Sequence, residues 1–182
     1  MCADYVYACV LSEDKKSFLV ARKKQYGYFF QYKSVPRKVL NFSGQDVLPG
    51  GGLPSNYTPE IGALKEFQEE TGINIKSPQI NATTLGQCEF DYEHEGQTGK
   101  YYGVFFTVPD LVSLRNQINR NLEMDVSEKV KYVEDDELNN IEIYNFDTAM
   151  KMLSTFNPTQ AAPGYNKQTD KSWFANILNQ LK

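Results

Sequence analysis

Leu48-Pro49-Gly50-Gly51-Gly52, then Thr58-Pro59-Glu60, then Lys65-Glu66-Phe67-Gln68-Glu69-Glu70-Thr71-Gly72-Ile73, decides how this chain is read. Thr58 suits an N-cap, Pro59 the first helical position, and Glu60 the positive end of the helix dipole. Ile61, Leu64 and Phe67 recur at helical spacing, and Gly72 suits a left-handed C-cap. The pattern predicts a glycine turn leading into a helix over 59–71, with Ile61, Leu64 and Phe67 toward the core. Glu66, Glu69 and Glu70 then stand at i, i+3 and i+4 on one face. Like charges so placed repel, which favours a positive partner. A hard divalent cation such as Mg²⁺ fits, because it takes oxygen ligands and keeps several waters.

These parts suggest a chemistry. Gly50, Gly51 and Gly52 let the backbone approach a ligand and offer N–H groups to phosphate. A cation on the carboxylate helix would neutralise a diphosphate and acidify a bound water, whose proton a neighbouring carboxylate could take. Glu134-Asp135-Asp136-Glu137 lies ahead of an expected last strand near Ile141–Tyr144. Within it Glu137 is the member placed to reach the site; a solvated acidic turn is the plainer alternative. Lys23, Lys24, Arg37 and Lys38 are equally phosphate contacts or solubilising charges.

Around this centre the chain alternates strands and helices. Tyr5–Leu11 and Phe18–Arg22 read as strands joined by a turn at 12–16, 23–45 as an inserted loop with a strand in it, and Asp46–Leu48 as a short strand ending at the glycine turn. Thr83–Glu93 and Lys100–Val108 read as a second strand pair. Helices are expected around Leu111, Leu114 and Ile118, over Asp147–Ser154, and over Asp170–Leu181, the last after a Pro/Gly/Asn-rich loop. The interleaving predicts a mixed α/β class with a sheet covered by helices. The aromatic runs Tyr26–Phe30 and Tyr101-Tyr102 are strand and core residues first, with base stacking the lesser reading.

The bulk composition excludes other classes. A chain of 182 residues with 41% hydrophobic content can bury one real core. Its net charge of −4 gives no general pull toward nucleic acid. No apolar run approaches a membrane span, and the first residues lack a signal-peptide pattern. Three scattered cysteines suggest reduced thiols and a cytoplasmic setting. His94 is the lone histidine and fits a hairpin surface position. On a straight strand it would sit roughly 20 Å from Cys88, too far for a dyad. The glycines lack the Gly-Lys-Ser/Thr continuation of a P-loop.

From Gly51 to Ile73 the sequence resembles the Nudix box, G-x5-E-x7-R-E-U-x-E-E-x-G-U, where U is a bulky apolar residue. Gly51, Glu66, Phe67, Glu69, Glu70, Gly72 and Ile73 match it. Tyr57 stands in place of the first Glu, and Lys65 in place of the Arg. The resemblance implies an α/β (α+β) fold, a Nudix-like α/β/α sandwich with a mixed central sheet, forming a single domain over 1–182. It implies metal-dependent hydrolysis of a phosphoanhydride in a nucleoside diphosphate linked to another moiety. Glu66, Glu69 and Glu70 would hold Mg²⁺, with Mn²⁺ as a substitute, and one of them or Glu137 would activate water. Gly50, Gly51 and Gly52 would lie along the substrate. Dimers are frequent in the family, so a homodimer is an open expectation. A phenol is uncharged near neutral pH and a lysine lacks arginine's bidentate fork. The two departures therefore bear on efficiency, and they motivate the alternative of a Nudix-like module that binds nucleotide or protein without turnover.

Overall fold

Strand β1 (Asp4–Ser12) is apolar on both faces, with Val6–Leu11 all buried, as befits the centre of a covered sheet. The computed structural model describes residues 4–30, 38–94, 96–165 and 172–182. On one side β1 runs parallel to β7 (Gln97–Val108), with Val6 opposite Tyr102 and Cys9 opposite Phe105. β7 pairs antiparallel with β6 (Thr83–His94). On its other side β1 meets β2 (Ser17–Phe29) only at Leu11–Phe18. Beyond that point the two strands part, and residues 46–53 fill the wedge. There β4 (Asp46–Val47) pairs with β2, and β5 (Gly50–Leu53) pairs antiparallel with β1. The Ala8 N–H donates to the Pro49 carbonyl at 2.8 Å across the junction. β2 continues the sheet through the short β3 (Lys38–Val39) and the long β8 (Asp135–Asn145).

Consecutive residues of β1 point to opposite layers. Val6 packs under Gly62 of α1 (Pro59–Thr71), where a methyl group at Gly62 would overlap Leu53 and crowd Val6. Tyr7 meets Phe174 of α5 (Ser172–Asn179) edge-on at 5.0 Å. α1 is joined on its side by α2 (Leu111–Glu123), whose Asn119 both donates to and accepts from the Ile141 backbone. The single turn α3 (Val126–Lys129) leads into β8, and α4 (Phe146–Ser154) packs beside α5. The mixed sheet between helical layers is the expected architecture.

Several local expectations change. The glycine run is a strand: Gly50, Gly51 and Gly52 pair with Tyr7, Val6 and Tyr5. Its lack of side chains serves close packing, since a Cβ at Gly50 would strike the Val6 carbonyl. Ile61 is 51% exposed, because Gly62, Ala63 and Phe67 make the inner stripe of α1. The strand expected inside the 23–45 insertion is the continuation of β2 through Lys23–Phe29. The last strand begins at Asp135, so Asp135, Asp136 and Glu137 of the acidic run belong to β8 itself. The expected closing helix is shorter as described, and Asp170, Arg37 and the side chain of His94 lie outside the described residues. Tyr101 is core: it stacks on Trp173 at 4.5 Å and on Phe90 at 5.0 Å.

Candidate active site

The helix that carries the carboxylates is capped as its sequence requires. The Thr58 side chain accepts from the Ile61 N–H, and Gly72 adopts φ 73° at the C-cap. Phe67 is fully buried and fixes the rotation of α1 on the sheet. With Phe67 inward, Glu70 and Glu69 flank the interface, 2% and 9% exposed, while Glu66 is partly covered beneath Gly51. The last turn of a helix leaves carbonyls without intrahelical partners. Here the Glu69 carbonyl accepts from the Glu134 N–H at 2.9 Å. That single bond ties the start of β8 to the end of α1.

Strand alternation then sorts the acidic run. Asp135 and Glu137 share one face of β8 and stand within electrostatic reach of Glu66, Glu69 and Glu70. Asp136 points the other way, where its Oδ1 accepts from Lys24 at 2.6 Å and from the buried Lys129 at 3.2 Å. Sequence reasoning singled out Glu137 and passed over Asp135. The two-residue spacing was the available signal, concealed by placing the strand too late.

Charge crowding shows in the acid strengths. Burial, then neighbouring Glu69, pushes Glu66 up to about 7 against the help of Lys65. Burial, then Glu137 and Glu69, pushes Asp135 up to about 6. Burial also raises Glu70 well above the usual carboxylate range; Lys23 and the Gly50 N–H oppose it, and Glu137 and Glu66 add to it. The Gly50 N–H donates to Glu70 Oε2 at 2.9 Å, so this glycine amide is committed to the protein's own carboxylate.

Two lysines enter the cluster. Lys65 contacts Glu69 at 2.6 Å from the solvent side. Lys23 donates to Glu137 and stands 3.9 Å from Glu70 Oε1, its side chain only 11% exposed. Burial works against its charge, but Glu137 and Glu70 outweigh it and raise its pKa. Far from being a solubilising charge, Lys23 bridges α1 and β8. Register shifts in the β2–β8 ladder on either side of Lys23 interrupt regular pairing where Arg22, Lys23 and Lys24 follow one another. They line an open cavity of about 470 Å³ with Tyr26, Asn139 and Gln160. Arg22 is held there by both oxygens of Asp46, at 2.7 and 2.9 Å.

The donor chemistry is of the kind a hard cation takes: five carboxylates lie within electrostatic influence of one another, and the buried Asp135 Oδ1 has no hydrogen-bond partner. Among the described residues, no three acidic, Cys or His side chains are grouped closely enough to form a metal cage.

The family model of the NUDIX domain matches residues 3–163. The chain belongs to the Nudix family. Among curated proteins, the RNA pyrophosphohydrolase of Zymomonas mobilis is 28% identical over 80 residues, covering 44% of this chain. That match spans about half, 52%, of the relative's length. Among solved structures, an Ap4A hydrolase binary complex from C. elegans aligns with a TM-score of 0.55 at 13% identity, covering 99% of this chain and 95% of that one. The MutT protein of Methanosarcina mazei Go1 aligns at 0.50 and 17% identity, covering 99% and 95%. These likenesses establish the Nudix fold across the chain. No helix among the described residues is long and apolar enough to cross a membrane.

Proposed function

We propose that this Nudix protein is a Mg²⁺-dependent pyrophosphohydrolase acting on a nucleoside diphosphate linked to another moiety, with residues 1–182 as one domain. The observation that carries the reading is the meeting of Glu66, Glu69 and Glu70 from α1 with Asp135 and Glu137 from β8, beside a cavity lined by Arg22, Lys23 and Lys24.

Glu66, Glu69 and Glu70 would hold the ion, with Mn²⁺ as a substitute. When bound, it supplies charge neutralisation for the diphosphate and acidifies a coordinated water. The chain's residues do the rest. Glu137, or one of the α1 glutamates, takes the proton from the attacking water. The cavity's cations orient the phosphates, and the P–O bond to the leaving phosphate breaks as water adds to phosphorus. Gly52, with open space beside it, leaves the rim of β5 bare for the substrate, while Gly51 makes room for the Glu66 carboxylate and Gly50 holds Glu70 in place. The free thiols Cys9 and Cys88 suit a cytoplasmic setting.

The test is a panel of nucleotide sugars, ADP-ribose and dinucleoside polyphosphates, with products read by mass with and without Mg²⁺. Glu70→Gln should lower turnover by at least about 10²-fold. Full activity in that variant would remove Glu70 from the assignment.

A second reading is a binding module without turnover, supported by Tyr57 and Lys65 at altered box positions and by Lys23 lodged between Glu70 and Glu137. Tight nucleotide binding by calorimetry, with no product after long incubation with Mg²⁺ or Mn²⁺, would select it.

A further inference from the structure

We propose that Lys23 is an internal counter-ion that holds the divalent ion's place, and that metal loading exchanges it outward to the phosphate cavity. The proposal rests on the metal-dependent reading above and goes beyond it by giving one side chain two successive positions.

The Lys23 ammonium lies between carboxylates of two different elements, Glu137 of β8 and Glu70 of α1. A buried cluster of acids without a cation would be strongly self-repelling, and Lys23 supplies that cation from within the chain. An ammonium and a divalent ion cannot occupy the same small gap, because their repulsion in a partly dry site is strong. Because Glu70 is shared between Lys23 and the proposed ligand set, an ion that takes Glu70 as a ligand drives Lys23 out as it enters.

It has somewhere to go. Its backbone sits in the interrupted stretch of the β2–β8 ladder, and the residue already lines the cavity. Rotation about its flexible four-carbon stem carries the ammonium from the carboxylates to the cavity wall. Arg22 and Lys24 stay held there by Asp46 and Asp136. In the wall position the released ammonium meets a substrate phosphate that arrives with the metal. Lys65 cannot play this part. Its pair with Glu69 is an i,i+4 contact within one helix, approached from the solvent side, with the lysine 44% accessible.

The experiment uses the full chain stripped with EDTA and titrated with Mn²⁺, free ion being read by electron paramagnetic resonance. Lys23→Gln should bind Mn²⁺ on the order of tenfold tighter than the parent chain, since no resident cation has to be displaced. Its melting temperature should also rise more on Mg²⁺ addition than the parent's. In the unsubstituted chain, acylation of Lys23 by an amine-reactive ester, read by mass spectrometry against Lys24, should accelerate severalfold with Mg²⁺. Equal or weaker Mn²⁺ affinity in Lys23→Gln overturns the exchange while leaving the metal-dependent reading intact. Absence of Mn²⁺ binding in both proteins overturns that reading and the exchange together. If Lys23→Gln fails to fold, the labelling decides: a rate unchanged by Mg²⁺ overturns the exchange.

Discussion

Replacing Glu66 by Gln should make the metal-free protein more stable at pH 8 while harming the site. The Glu66 carboxyl is raised from its ordinary 4.5 to about 7. The folded state therefore binds this proton more tightly than the unfolded state does. Between those two values stability falls as pH rises, and above about pH 7 the full cost is present. Each pH unit in that window is worth ~1.36 kcal/mol, which gives an upper figure of about 3 kcal/mol. Glu66 keeps some solvent contact, so screening brings the expected gain to roughly 1–2 kcal/mol. Gln has the same shape without the charge. Urea unfolding in EDTA from pH 4.5 to 8 measures the effect. The parent midpoint should drop across the window, the variant's should drop less, and the two should converge near pH 4.5. Saturating Mg²⁺ at pH 8 should raise the parent more than the variant. A Glu66→Gln protein no more stable than its parent at pH 8 without metal would refute the claim that charge crowding strains this fold.

Other outcomes follow from the same geometry. In Gly51→Ala the new methyl runs into the far end of the Glu66 side chain, which can swing aside; the melting temperature should shift by the equivalent of about 1 kcal/mol or less, with kcat/KM reduced as Glu66 is displaced. Phe67→Ala empties a fully buried position under α1 and should cost about 3–5 kcal/mol in denaturant titration, a loss under about 1 kcal/mol being incompatible with its burial. Lys65→Ala removes an exposed cation from the buried Glu69 carboxylate and should lower the stability of the metal-free protein by about 1–3 kcal/mol in the same assay.

The parts of the molecule governed by near neighbours were legible in the sequence. The bounds of α1 follow from Thr58, Pro59 and Gly72, whose effects act within one turn, and the structure gives Pro59–Thr71 as expected. Features governed by distant partners were not legible. The triple glycine looks like a turn in isolation and becomes a strand only because β1 and β2 part and leave β1's edge open to it. Ile61 satisfies the helical period, yet the tilt of α1 is set by Gly62 against Val6, which turns Ile61 to solvent. Glu137 was found and Asp135 missed because the run of four acids suppresses strand propensity. Tertiary pairing with Phe29 and Tyr28 overrides that suppression. Lys23 and Lys24 read equally as phosphate contacts or solubilising charges, and their ion pairs are not legible, because single-residue chemistry does not reveal a carboxylate placed more than a hundred positions later.

Asp136 carries a consequence for how such a cleft can be tuned. It grips Lys24 and the buried Lys129 on the reverse of β8, while its two neighbours look toward the glutamate helix. A slide by one position would trade those roles, sending the lysine-bound acid forward and the forward acids back. Lys129 thus acts as a latch on strand phase from outside the cleft. Substitutions at the α3 turn can loosen the alignment of the cleft's acids without altering any side chain that faces the ligand.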